Sequence, residues 1–310
     1  MKHLISLNDL SKEEILSILN LADKLKNENK KGIKHHHLAG KSLGMIFSKS
    51  STRTRVSFEV GMYQLGGMAL FLSDRDIQLG RGESIYDTAN VLSRFLDGIM
   101  IRTFDQKDVE DLAEFGNIPI INGLTDDEHP CQILADFKTI MEYKGKLEGL
   151  KLAYVGDGNN IANSLLQGCS KIGMDIAVAS PPQYMCGDKY VCQAKEAAKN
   201  SGSRIVITED PVCAVSGADV VITDTWVSMG QEEEKEKRIK AFMPYQVNKK
   251  LWSHTNDGAI FLHCLPAYRG HEVTEDIIDG PVSAVFDEAE NRMHVQKAVM
   301  ALLMGKKIRE

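Results

Sequence analysis

Apolar and polar positions alternate along this chain in two registers, one of period 3.6 and one of short unbroken apolar runs. Ser11 followed by Glu14 has the form of a capping box, and Ile15, Ile18, Leu19, Ala22 and Leu25 then recur at helical spacing, which predicts an amphipathic opening helix. Beyond the Gly40 turn the spacing predicts strands at 42–47, 69–72, 98–101 and 118–121, with helices at 53–65, 84–95 and 107–115 between them. Strand and helix in alternation imply a parallel sheet joined by crossover helices. A helical stretch at 132–143 leads to the turn residues of 145–149, where a domain join is expected.

The second half repeats the pattern. Apolar runs at 152–155, 176–179, 205–207, 220–223 and 260–262 predict a second parallel sheet, and a final helix is expected at 288–304. The run Gln231 to Arg238 places Glu233 and Lys237, and Glu234 and Arg238, at helical pair spacing, which predicts a solvated helix. The expected fold is therefore α/β with two domains, each a parallel sheet with helices on both faces. The first spans 1–145, completed by the C-terminal helix 288–310, and the second spans 146–287.

Composition narrows the classes open to such a fold. At 310 residues, 43% hydrophobic and 26% charged, the chain is that of a globular protein, and a formal net charge of −6 without a basic patch argues against nucleic-acid binding. The opening 26 residues carry acids and no central apolar run, so neither an export signal nor a membrane span is expected, and the expected location is cytoplasmic. Six scattered cysteines show no zinc spacing, and the triplet His35, His36, His37 reads as a solvated loop because adjacent residues do not converge on one ion.

Candidate chemistry falls at predicted strand ends. Ser50, Ser51, Thr52, Arg53, Thr54 and Arg55 lie where a strand passes into a helix, so backbone N–H groups, hydroxyls and guanidiniums converge as a phosphate site requires. Arg55 stands four residues from Glu59 and fits a surface ion pair, which leaves Arg53 as the better phosphate ligand. Arg102 directly follows the strand 98–101, at the carboxyl edge of the predicted sheet, and His129, Pro130, Cys131 and Gln132 open the helix after the next strand. Together these offer donors and cations to a small dianion with a carbonyl, the arrangement acyl phosphate chemistry needs.

In the second half, Gly156 and Gly158 begin a dinucleotide fingerprint that fails at Ile161, where its third glycine belongs. Asn159 or Asn160 fits either a helix cap or an α-carboxylate ligand. Asp224 fits a cap or the partner of an ammonium group, and Cys264 fits a buried thiol or a group beside an attacking amine.

The motifs S-T-R-T-R-V-S-F-E, H-P-C-Q-I-L-A-D, D-G-N-N, D-T-W-V-S-M-G-Q-E, H-C-L-P and A-E-N-R occur in that order, and the stretch 38–304 that holds them resembles the ornithine carbamoyltransferase family. The resemblance implies that Ser51, Thr52, Arg53, Thr54, Gln78, Arg102, His129, Gln132, Cys264, Leu265 and Arg292 bind carbamoyl phosphate. It implies that Asn160, Asp224, Ser228 and Met229 bind L-ornithine, and that Arg53, Thr54, Arg102, His129, Asp224 and Cys264 serve catalysis. It further implies Glu83 as the acid steadying the loop arginine, closure of 228–231 over the substrates, no metal or organic cofactor, and a homo-oligomer, a trimer or an assembly of trimers. Phe104 stands where the family often has tyrosine, a mild departure. Aspartate carbamoyltransferases share the first-half motifs, but Asp224 near the acceptor would oppose an extra carboxylate and favour a diamino acid. Putrescine or a modified ornithine as acceptor, a non-catalytic two-domain binding protein, and a dehydrogenase are the competing readings.

Overall fold

The structure is a computed structural model that describes residues 1–75, 77, 82–228, 230 and 232–305. The chain divides into two compact units, Met1–Lys138 with Glu290–Glu310, and Thr139–Ala289. Each holds one all-parallel sheet with helices around it.

In the first unit, α1 (Lys12–Lys30) begins at a complete capping box and buries Ile15, Ile18, Leu19, Ala22 and Leu25. It is followed by β1 (Ser42–Phe47), α2 (Thr52–Gln64), β2 (Met68–Ser73), α3 (Ile85–Leu92), β3 (Gly98–Arg102), α4 (Gln106–Phe115) and β4 (Ile120–Leu124). The strand order is β2-β1-β3-β4. Ile46, Ile99, Ile101 and Ile120 pack with Val109 and Leu112 in the core. β4 runs past its predicted end at 121, through Asn122 and Gly123. Buried Asn122 is tolerated because its Nδ2 donates to the Ile5 carbonyl and to Gln106 Oε1. Gly123 is required because a Cβ there would come within 2.5 Å of Met100 Sδ.

After α5 (Pro130–Lys144), inside which the two units divide, come β5 (Lys151–Val155), α6 (Asn160–Ile172), β6 (Asp175–Ala179), α7 (Asp188–Ser201), β7 (Ile205–Thr208), α8 (Pro211–Val215), β8 (Val220–Ile222), α9 (Lys235–Phe242), α10 (Lys249–Trp252), β9 (Ile260–Leu262) and α11 (Glu275–Ile278). The sheet order is β7-β6-β5-β8-β9, around a core that includes Val155, Ala177, Val221 and Phe261. The last helix, α12 (Val285–Met304), contributes its residues from Glu290 onward to the first unit.

Two expectations are corrected. The run Gln231 to Arg238 is not a solvated helix throughout: α9 starts at Lys235, and Arg238 is buried, paired with Asp157 and donating from Nε to the Trp226 carbonyl at 2.6 Å. A long apolar stem with a fork of donors suits such an interior acid, and the guanidinium also lies 4.6 Å from the Tyr184 ring centre. The histidine triplet is not simply solvated either. His35 is buried with Nδ1 3.0 Å from Glu28 Oε2, so the acid of α1 supplies the partner that burial demands.

Candidate functional site

In an open parallel sheet, ligands bind beyond the carboxyl ends of strands where the order reverses, because the loops there diverge and leave a crevice. In the first unit that point lies between β1 and β3, and in the second between β5 and β8.

At the first crevice, Ser51 is the N-cap of α2, its Oγ accepting from Thr54 N–H at 3.2 Å and donating to Thr54 Oγ1 at 3.0 Å. Thr54 is fully buried, and its Oγ1 also accepts from Arg292 Nη2 at 2.8 Å, so the cap is tied to a residue 238 positions away. Thr52 opens the helix and is exposed, and Arg53 is half-buried one residue on. Arg55 turns away. Its Nε donates to Glu59 at 3.0 Å and its guanidinium lies 3.8 Å from the Phe71 ring centre.

Arg102, the last residue of β3, is buried, and its carbonyl accepts from Ser48 N–H at 2.8 Å, which joins the two strand ends. His129 is buried just before α5, and burial, followed by the charges of Arg292 and Arg102, lowers its pKa well below the ordinary value. The imidazole is therefore neutral near pH 7, with Arg102 and Arg292 close enough to act on it. Gln132, on α5, donates to Asp136 Oδ1 at 2.8 Å. Cys131 is also buried, its thiol pushed up to about 12, so it holds its proton. Glu83 is exposed and accepts from Thr88 at 2.9 Å. Phe104 is exposed, with Lys49 Nζ 4.3 Å from its ring centre. Gln78 lies outside the described residues. This crevice offers a helix N-terminus, hydroxyls, a neutral imidazole and guanidiniums, a set suited to a small phosphorylated anion.

The second crevice carries the opposite charge. Asp224, two residues past β8, is buried, and its Oδ1 accepts from Thr225 N–H at 2.8 Å and from the Cys264 thiol at 3.1 Å. Asn159, rather than Asn160, caps α6, and its Nδ2 donates to Asp224 Oδ2 at 2.8 Å. Asn160, the first residue of α6, and Ser228 and Leu265, on loops at the same sheet edge, are half-buried, whereas Met229 lies outside the described residues. Leu265 adopts φ 55°, a left-handed conformation that costs a branched residue on the order of 1–2 kcal/mol. The loop is fastened around it: Leu265 N–H donates to His263 Nδ1 at 2.9 Å, and His263 N–H donates to Glu288 at 2.8 Å.

Two chemical possibilities, one raised by the glycine motif and one by the structure, are limited by these contacts. Gly158 is a glycine because a Cβ would come within 2.2 Å of the Cys186 nitrogen, so it faces packed backbone and not an opening for a pyrophosphate. Ligand atoms of Asp224, His263 and Cys264 lie within 4.8 Å of one another. The thiol is already engaged with Asp224, and the imidazole stands between Leu265 N–H and Glu272, whose Oε1 is 3.3 Å from Nε2.

Asp157 is the residue that motif reading passed over. Its pKa is pushed up to about 6 by burial, against the opposing charge of Arg238 and with a further push from Asp224. Its position two residues beyond β5 was the available signal. Of the two asparagines offered as a cap, Asn159 is the one that caps, and its bond to Asp224 is what the motif did not show.

Two α/β units whose sheet crevices carry opposite charge, the positive one suited to a small phosphorylated anion, fit a group transferase acting on a phosphorylated donor. The chain belongs to the aspartate/ornithine carbamoyltransferase family: residues 2–142 match that family's carbamoyl-P binding domain and residues 148–303 its Asp/Orn binding domain. It is 60% identical over 303 residues to an ornithine carbamoyltransferase of Caldicellulosiruptor saccharolyticus, covering 98% of each chain. It is 56% identical to that of Bacillus subtilis, covering 98% of this chain and 94% of the relative. Among solved structures it is similar to ornithine carbamoyltransferase from Pyrococcus furiosus, with TM-score 0.95 and 54% identity, covering 98% of this chain and 97% of the other.

Proposed function

We propose that the chain transfers the carbamoyl group of carbamoyl phosphate to the δ-amine of L-ornithine, giving L-citrulline and phosphate by direct attack. The observation that carries the reading is the assembly of Ser51, Thr54 and Arg292 with a neutral His129 close to Arg102 at one sheet crevice. On this reading, Ser51, Thr52, Arg53, Thr54, Arg102 and Arg292 hold the phosphate. His129, Thr54 and Arg102 stabilise the oxyanion formed as the amine adds to the carbonyl carbon, and Gln132, Gln78, Cys264 and Leu265 complete the donor's contacts. The carbon–oxygen bond to phosphate then breaks, and the amine's proton is lost to solvent. A neutral His129 donates a hydrogen bond without competing for the anion's counter-charge.

On the acceptor side, Asp224 pairs with the ammonium group, Asn160, Ser228 and Met229 bind the amino-acid end, and Cys264 lies by the attacking amine. A second carboxylate, as in aspartate, would meet Asp224 unfavourably. No metal or organic cofactor takes part in this reading.

We further read the protein as a homo-oligomer, a trimer or an assembly of trimers. Val56, Val60 and Tyr63 on α2 and Met68, Leu70 and Phe71 on the edge strand β2 are all exposed, an apolar surface of the kind a second copy covers. We read its location as cytoplasmic; no helix among the described residues is long and apolar enough to cross a membrane. Light scattering tests the assembly.

Citrulline formation from carbamoyl phosphate and ornithine, run beside aspartate and putrescine, tests the reaction. Rapid product from ornithine alone is expected, rising with pH as the acceptor amine loses its proton. Product only with another amine overturns the acceptor assignment.

A further inference from the structure

We infer that Asn159 is a positioning residue that aims the Asp224 carboxylate at the acceptor's ammonium group, an inference that rests on the role given to Asp224 above. Its amide is fixed at both ends. Oδ1 accepts from Ile161 N–H at 3.0 Å, Ala162 N–H at 3.3 Å and the Tyr154 hydroxyl at 3.2 Å. Three donors converge on that atom, so it is the carbonyl oxygen, and a flipped amide would set N–H against N–H. The NH2 group is thereby directed at Asp224 Oδ2, 65 positions along the chain and 2.8 Å away.

A helix cap needs only the acceptor, and serine or aspartate supplies that as well as asparagine. Asparagine alone among the good caps adds a donor on the opposite side. Asp224 is buried, and a buried carboxylate keeps its charge in one orientation only when donors hold it. Thr225 N–H and the Cys264 thiol take Oδ1, and Asn159 takes Oδ2. Of these three donors, only Asn159 is anchored by a helix and a sheet at once, because it caps α6 and is held by Tyr154 of β5.

The supporting hydroxyl is a constant one. Burial, reinforced by Asp224, Asp157, Cys186 and Cys264, raises the Tyr154 pKa far above its ordinary value, so it remains a donor at every working pH. The other ionisable groups around Asp224 are Asp157 with its partner Arg238, His263 and Cys264. None of them reaches Asp224 Oδ2 through a hydrogen bond described in this structure.

Two variants of the full-length protein separate positioning from capping. N159S keeps a capping hydroxyl but is too short to reach Asp224, and N159D keeps the cap while setting a carboxylate against it. Both are expected to melt within a few degrees of wild type and to bind inorganic phosphate unchanged by calorimetry. The KM for L-ornithine should rise about 10-fold in N159S and about 100-fold in N159D, the range expected for losing or inverting a charge-assisted hydrogen bond. Y154F should move it only a few-fold.

Unchanged ornithine KM in both variants overturns the inference. So does a loss that tracks melting temperature and weakens phosphate equally, since that is the behaviour of a cap alone. Wild-type protein that carbamoylates neither ornithine, aspartate nor putrescine overturns the function itself, an outcome visible before any variant is made.

Discussion

At the β1/β3 edge the buried imidazole of His129 is held below its ordinary range, whereas at the β5/β8 edge Asp157 and Tyr154 are held above theirs. Burial is the largest cause in all three, and burial always disfavours the charged form. The neighbours then decide what each edge accepts. Arg102 and Arg292 reinforce a neutral imidazole in a positive surrounding, while Asp224 and Asp157 reinforce a protonated phenol in a negative one. One topology, used twice in the chain, thus yields a positive edge and a negative edge, with the difference carried by a few side chains past the strand ends.

Removing a charge from each edge gives the strongest test of this contrast. Arg102→Leu is expected to lower citrulline formation by about 10³-fold or more, because it strips a cation from both the oxyanion and the phosphate. Near-normal turnover would remove Arg102 from the site. Asp224→Asn is expected to reduce kcat/KM for ornithine by about 10²-fold while calorimetric phosphate affinity stays unchanged. Equal losses on both substrates would mean that the edges are not separable as described.

The next effect is on stability against pH, and it has opposite sign at the two edges. His129 has a lowered folded-state pKa, so its contribution is complete above its ordinary value of 6.5 and is lost as pH falls below that. Asp157 is raised from 3.8 to about 6, so its contribution is complete below 3.8 and is lost as pH rises through 6. Between about pH 4 and 6.5, His129→Gln should flatten the acid-side fall in the denaturation midpoint, and Asp157→Asn should remove the opposing trend. Each slope is at most about 1.4 kcal/mol per pH unit. Parallel pH profiles for wild type and both variants would contradict the assignment.

The smallest effect separates a plain cap from a cap inside a site. Ser11→Ala and Ser51→Ala each remove an N-cap hydroxyl and should each cost about 1 kcal/mol of stability. Only Ser51→Ala should also raise the KM for carbamoyl phosphate. Equal kinetics in the two variants would make Ser51 a cap and nothing more.

Much of this molecule was determined by local sequence. The capping box at Ser11 and Glu14, the apolar runs of β1, β3, β5 and β8, and the hydroxyl and guanidinium residues at the start of α2 are signals that adjacent residues carry by themselves, through periodicity and backbone chemistry. The Arg55 ion pair was readable too, since Glu59 stands four residues on. Tertiary structure alone decided which distant polar groups become partners. Arg238 left a charged run to pair with Asp157, His35 found Glu28, Asn122 found Ile5 and Gln106, and Arg292 reached Thr54. Asn159 faces Asp224 for the same reason. A buried polar group must be satisfied, but nothing in its local spacing says by whom, because the partner is set by which strand ends the crossovers bring side by side.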